Sequence, residues 1–159
     1  LDEGLAHLAA VIEKDLGRSL LTLPGGGAAG GFGAGSVAFL GARLQMGIEA
    51  VLDLTDFDRQ AADAYLLITG EGRLDSQSLR GKVVVGVARR ARALGVPVVA
   101  LVGSSETDIA AAYDAGVTAV FPINPAPTTL SEALAHARKH LAFTAENVLR
   151  FARCLEENR

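Results

Sequence analysis

Residues 65–102 read YLLITGEGRLDSQSLRGKVVVGVARRARALGVPVVALV. An apolar run, Tyr65–Thr69, meets a polar connection, GEGRLDSQSLRGK, and then a valine- and alanine-rich segment whose spacing predicts a helix from about Val83 to Leu94. Pro97–Val102 repeats the buried-strand pattern. Further on, a helix near Asp108–Ala115 and a strand at Thr118–Phe121 complete a βαβαβ order. Strands that alternate with helices at this spacing predict a parallel sheet covered on both faces, the α/β class. Thr129 and, three residues later, Glu132 form a capping box ahead of Leu130, Leu134, Ala137, Leu141, Ala145, Val148, Ala152 and Leu155. That periodicity predicts a closing helix packed along the sheet.

Upstream, LDEGLAHLAAVIEKDLG reads as an amphipathic helix with Leu1, Leu5, Leu8, Ile12 and Leu16 on one face. The chain opens on Leu1 rather than methionine and is expected to be a piece of a longer protein. Leu20–Leu23 reads as a short strand ended by Pro24, followed by a helix of small residues that starts after Ala28. Seven of the 18 glycines fall between Gly25 and Gly35. A second apolar segment, Ile48–Leu54, runs into DLTDFDRQAADAY, whose aspartates at 53, 56, 58 and 63 read as a connection between units. A boundary near residue 58 follows, giving domains 1–58 and 59–159.

Composition narrows the function classes. Lysine and arginine total 15 against 18 acids, a net charge of −3, so no basic excess supports nucleic-acid binding. No apolar run reaches membrane-spanning length. A single cysteine, Cys154, cannot bridge within the chain, and no leader-like segment opens it, so a reducing cytoplasm is the expected setting.

The connection Gly70–Lys82 follows a strand and precedes a helix, the place where open α/β sheets bind ligands. Gly70 and Gly72 free the backbone to turn, the next helix presents its first N–H groups to an anion, and Arg73 and Lys82 add positive charge. Glu71 and Asp75 are oxygen donors of the kind Mg2+ takes when it keeps waters and bridges to phosphates. The bland alternative is a polar loop with Ser76 or Ser78 as helix cap and an Arg73–Asp75 ion pair. It is not a Walker loop, because Ser76 stands where the first glycine belongs and Val83 where a hydroxyl would hold magnesium. Gly25-Gly26-Gly27-Ala28-Ala29-Gly30 is formally GxGxxG with Asp53 about twenty residues on, which leaves an NAD-type oxidoreductase reading open; it requires Asp53 to end a strand beside the glycine turn. Close packing of backbone is the structural alternative for these glycines. His136 and His140 share a helix face but lack a third ligand, and they stay outside the site with His7 and Cys154.

Taken together, PGGGAAGGFGA (Pro24–Ala34) and TGEGRLDSQSLRGK (Thr69–Lys82), with AFLGARLQMGIEAVLDL between them and GVPVVALVGS after, resemble the C-terminal part of bacterial glycerate kinases. The resemblance implies a Rossmann-like or flavodoxin-like parallel sheet in three layers, α/β/α, preceded by the end of a second, inserted α/β domain. It also implies ATP-dependent phosphorylation of D-glycerate, with 2-phosphoglycerate the usual product, and Mg2+ as the metal. On this resemblance Asp75, Lys82 and Arg73 are the catalytic candidates and Glu71 and Asp75 the metal candidates. Gly25, Gly27, Gly30, Gly31, Gly33, Gly70, Gly72, Ser76 and Gln77 are the nucleotide-binding candidates. No catalytic base is assigned within these residues. The expected partners are the small-molecule substrate and, through the truncated sheet edge, a second copy; the piece alone is expected to be inactive. A non-catalytic binding or interface module is the remaining alternative class.

Overall fold

The computed structural model describes residues 1–75 and 83–157. The chain packs as two compact units, Leu1–Met46 and Gly47–Arg159.

In the first unit, α1 (Asp2–Leu16) ends at Gly17, whose left-handed backbone donates its N–H to the Glu13 carbonyl. The second helix, α2 (Ala28–Leu40), ends the same way at Gly41. Ile12, Leu20 and Ala38 are buried together, with Leu23, Ala34 and Val37 against them. Arg18 reaches the carbonyls of Val37 and Ala38 at 2.7 and 2.9 Å, closing two of the acceptors left open at the end of α2. The expected strand at Leu20–Leu23 is a turn, closed by a 3.1 Å hydrogen bond from Leu23 N–H to the Leu20 carbonyl. The apolar run serves this helix-packed cluster instead of a sheet.

The second unit begins with two helices, α3 (Gly47–Leu54) and α4 (Phe57–Ala61). Then come β1 (Leu67–Leu74), α5 (Val83–Leu94), β2 (Val98–Ser105), α6 (Ala110–Ala115), β3 (Ala119–Pro122) and α7 (Leu130–Glu157). The strands form one parallel sheet in the order β1-β2-β3. Central β2 is buried on both sides, which is why PVVALV reads as a continuous apolar run. Its alternation sorts the layers. Val98, Ala100 and Val102 pack against Val84, Ala88 and Ala91 of α5 and Ala112 of α6. Val99 and Leu101 face the other way, against Ala145 and Val148 of α7. The result is the expected α/β/α layering. The capping box forms as read: Thr129 N–H and Oγ1 both donate to the Glu132 carboxylate, at 3.1 and 2.7 Å, and Glu132 N–H returns to Thr129 Oγ1 at 3.3 Å.

Two sequence readings are corrected here. β1 does not stop at Thr69 but runs to Leu74, because β2 offers partners the whole way: Gly70 opposite Leu101, Glu71 opposite Val102 and Arg73 opposite Ser104. Gly70, Glu71, Gly72 and Arg73 are therefore strand residues. Glycine serves close approach here rather than turning, since a Cβ on Gly70 would stand 2.3 Å from the Leu101 carbonyl oxygen and one on Gly103 2.4 Å from that of Gly72. The acidic segment read as a connection is helical and anchored. Arg90 of α5 binds Asp58 through two nitrogens at 2.9 Å, Asp53 at 2.8 Å and Glu49 at 3.3 Å. Hydrogen bonds from Asp58 first and Asp53 second hold the Arg90 guanidinium above even its usual range. Beside this cluster, Gly86 of α5 meets Ile48 of α3 so closely that a Cβ would sit 2.4 Å from Ile48 Cγ1.

Candidate active site

The carboxyl end of β1 gathers the charged residues that the sequence singled out. Arg73 lies 3.5 Å from the Asp75 carboxylate and 3.2 Å from that of Glu106, just beyond β2. Its side chain is 65% exposed, whereas that of Asp75 is only 19% exposed. The Glu106 N–H donates to the Leu74 carbonyl at 3.1 Å, tying the chain after β2 to the end of β1. Leu74 itself is fully buried under α5, a fixed base for the residue that follows it.

Glu71 sits one register position earlier than Gly72, opposite fully buried Val102. Its Oε1 is buried and has no hydrogen-bond partner among the described residues. An unsatisfied buried acceptor costs on the order of 1–3 kcal/mol, so its retention points to a partner supplied from outside the fold. Glu71 and Asp75 are hard oxygen donors that fit Mg2+. Among the described residues no group of three or more His, Cys, Asp or Glu side chains could hold a metal ion. Ser76, Gln77 and Lys82 lie outside the described residues.

The glycine stretch, in the first unit, has an unusual backbone. Ala29, Gly30 and Gly31 follow one another in the left-handed region, at φ 50°, 68° and 95°, before regular helix resumes; Gly25 shares that conformation at φ 81°. For alanine this conformation carries a strain of order 1 kcal/mol. Gly33 could not carry a side chain, because its Cβ would stand 2.5 Å from the Gly25 carbonyl oxygen, and Ala34 N–H bonds the Gly26 carbonyl at 2.9 Å. The Gly31 N–H donates to the Gly27 carbonyl at 3.2 Å. The dinucleotide reading loses both of its structural conditions: no strand precedes Gly25, and Asp53 lies within α3 bound to Arg90.

Sequence reasoning overlooked a polar group at the ends of β2 and β3. Asn124, just past β3, donates its amide N–H to the Gly103 carbonyl at 2.8 Å, and His140 Nδ1 of α7 lies 3.3 Å from Asn124 Oδ1. The available signal was positional: Asn124 stands just past the carboxyl end of a strand, at the same end of the parallel sheet as Asp75. His136 and His140 have ring centroids 5.9 Å apart and tilted planes. An apolar hollow of about 950 Å³ lies on the α7 face of the sheet, lined among others by Leu66, Phe121, Ile123, Phe143, Val148 and Phe151. None of the described sequence-derived site residues lines it, so the strand-end chemistry, not the hollow, defines the candidate site.

Residues 1–153 match the model of the "Glycerate kinase family". A glycerate kinase of Bacillus cereus is 45% identical over 148 residues, covering 93% of this chain and 39% of that protein. A glycerate 2-kinase of Escherichia coli is 42% identical over the same length, again with 93% and 39% coverage. A crystal structure provisionally assigned as glycerate kinase 2 from Salmonella typhimurium LT2 superposes with a TM-score of 0.71 at 42% identity, over 96% of this chain and 38% of that one. The chain spans about two fifths of the length of these relatives.

Proposed function

The chain belongs to the glycerate kinase family, and from that premise we propose that the full-length protein transfers the γ-phosphoryl group of ATP to D-glycerate, with 2-phosphoglycerate as product. The observation that carries the reading is the end of β1, where Glu71 keeps a buried, unpartnered oxygen and Arg73 and Asp75 stand together. Phosphoryl transfer asks little covalent chemistry of a protein; it needs the reactants aligned and the phosphate charge neutralised. Glu71 and Asp75 would hold Mg2+, directly or through its waters, and that ion when bound neutralises charge on the phosphates. Arg73 and Lys82 face phosphate or the glycerate carboxylate, and Gly70, Gly72, Ser76 and Gln77 bind nucleotide. Gly25, Gly27, Gly30, Gly31 and Gly33 let backbone approach the ligand.

In this proposal residues 1–58 close an inserted α/β domain and 59–159 are the returning half of a Rossmann-like domain. The enzyme would work in the cytoplasm; no described helix is long and apolar enough to cross a membrane. The sheet edges and the apolar hollow on α7 would be covered by the rest of the protein or by a second copy.

A coupled ADP-release assay on the full-length protein tests the reading. D-glycerate-dependent ADP release, with 2-phosphoglycerate identified by phosphorus NMR, is the expected outcome. No D-glycerate-dependent release at saturating ATP and Mg2+ would overturn it.

A further inference from the structure

Resting on the kinase reading above, we propose that Asn124 and His140 are a positioning pair for the phosphoryl-transfer end of the sheet. The argument begins with hydrogen-bond accounting at the end of β3. The strand stops at Pro122, which pairs with Val102 and has no N–H to give. Ile123 N–H still reaches the Val102 carbonyl at 2.8 Å. Val98 and Val102 turn their carbonyls toward β3, and strand alternation turns that of Gly103 the other way, toward β1. The side-chain amide of Asn124 reaches this Gly103 carbonyl from beyond β3, tying the end of β3 to the carbonyl that faces β1.

Gly103 matters because of what lies on its other side. It has no room for a Cβ against the Gly72 carbonyl, and Gly72 separates Glu71 from Arg73 on β1. The Asn124 bond therefore fixes the residue against which the charged end of β1 is packed.

The orientation of the amide follows from chemistry. A backbone carbonyl only accepts, so the Asn124 atom that faces Gly103 is the NH2 group, and Oδ1 is left facing His140. An oxygen with no hydrogen to give requires a donor opposite it. His140 must carry a proton on Nδ1, which in the neutral ring is the tautomer that water disfavours. His140, half-buried on α7, thus holds the amide that holds Gly103. Neither residue is assigned contact with substrate.

Two measurements on the full-length protein test the pair. Nitrogen-15 histidine spectra should show neutral His140 as the Nδ1–H tautomer, reverting to Nε2–H in Asn124→Ala; an Nε2–H tautomer in the unmodified protein would overturn the pairing. Steady-state kinetics of Asn124→Ala should show kcat lowered about tenfold with the KM values for ATP and D-glycerate changed less than threefold. His140→Asn, which places an amide donor near the position of Nδ1–H, should keep kcat within about threefold, whereas His140→Ala should not. Should Asn124→Ala unfold, the His140→Asn and His140→Ala comparison decides alone. Correct tautomers with Asn124→Ala kcat within twofold of the unmodified enzyme would overturn the positioning role. Absence of glycerate phosphorylation in the unmodified protein instead marks failure of the kinase reading, and the positioning role falls with it while the tautomer still decides the pairing.

Discussion

Gly103→Ala probes the contact on which the candidate site is built. A Cβ placed there stands 2.4 Å from the Gly72 carbonyl oxygen, and the strands must separate locally by about half an ångström or more to relieve it. Ladder hydrogen bonds near 2.9 Å tolerate only about 0.3 Å of lengthening, so at least one is sacrificed. Overpacking of this kind costs about 1–3 kcal/mol. Against it stands the lower entropy of the unfolded alanine chain, about 0.4–1 kcal/mol. At the middle of both ranges, about 2 against about 0.7 kcal/mol, strain wins by about 1 kcal/mol, which lowers the melting temperature by about 2–4 °C for a chain of this size. Gly72→Ala is the internal control: its Cβ would meet nothing within 4 Å, and the melting temperature should move by less than about 2 °C. Differential scanning calorimetry of both variants checks the difference. Gly103→Ala melting at or above the unmodified protein would refute the close-approach argument.

Arg90→Gln should loosen α3 and α4 from α5, because Glu49, Asp53 and Asp58 lose their shared cation; amide exchange should rise in residues 47–61 before it rises in β2. Unchanged exchange there would remove Arg90 as their anchor. The Glu132 carboxyl is held below its usual range chiefly by the Thr129 hydroxyl, then by the Thr129 N–H and the Thr128 hydroxyl. A depressed folded pKa means that this stabilisation is present above the unfolded value and is lost as pH falls through the folded one. The first turn of α7 should therefore fray below about pH 4, read by amide exchange at residues 130–133, and Glu132→Gln should flatten that dependence.

What the sequence revealed follows the range of each interaction. The Thr129–Glu132 box was legible because both partners lie within one helical turn, and β2 because burial on both faces leaves no polar alternation to misread. The true end of β1 was not legible, since Gly70–Leu74 become strand only through the register with Leu101–Ser105. Arg90 appeared as one cation among several on α5; its partner Asp58 lies 32 residues away, and no local pattern joins them. Leu20–Leu23 misled because an apolar run of four suits a helix-packed turn as well as a strand. Glu71, Arg73 and Asp75 were singled out from residue chemistry and strand-end position together. Asn124 was not singled out, and His140 was set aside as one of two histidines short of a third ligand, because the group that Asn124 binds is the Gly103 carbonyl, a backbone group that no side-chain motif reports.

The central claim, that the end of β1 organises metal and phosphate, rests most directly on Asp75. Asp75→Asn removes the charge while nearly preserving the shape of a side chain that is mostly buried. An Arg73–Asp75 ion pair alone would contribute about 0–1 kcal/mol to stability and nothing to turnover. If Asp75 engages Mg2+ and the transferring phosphoryl group, kcat of the full-length enzyme at saturating ATP, Mg2+ and D-glycerate should fall by about two orders of magnitude or more, with the melting temperature nearly unchanged. Near-normal turnover of Asp75→Asn under those conditions would contradict the claim and remove this strand end from the active site.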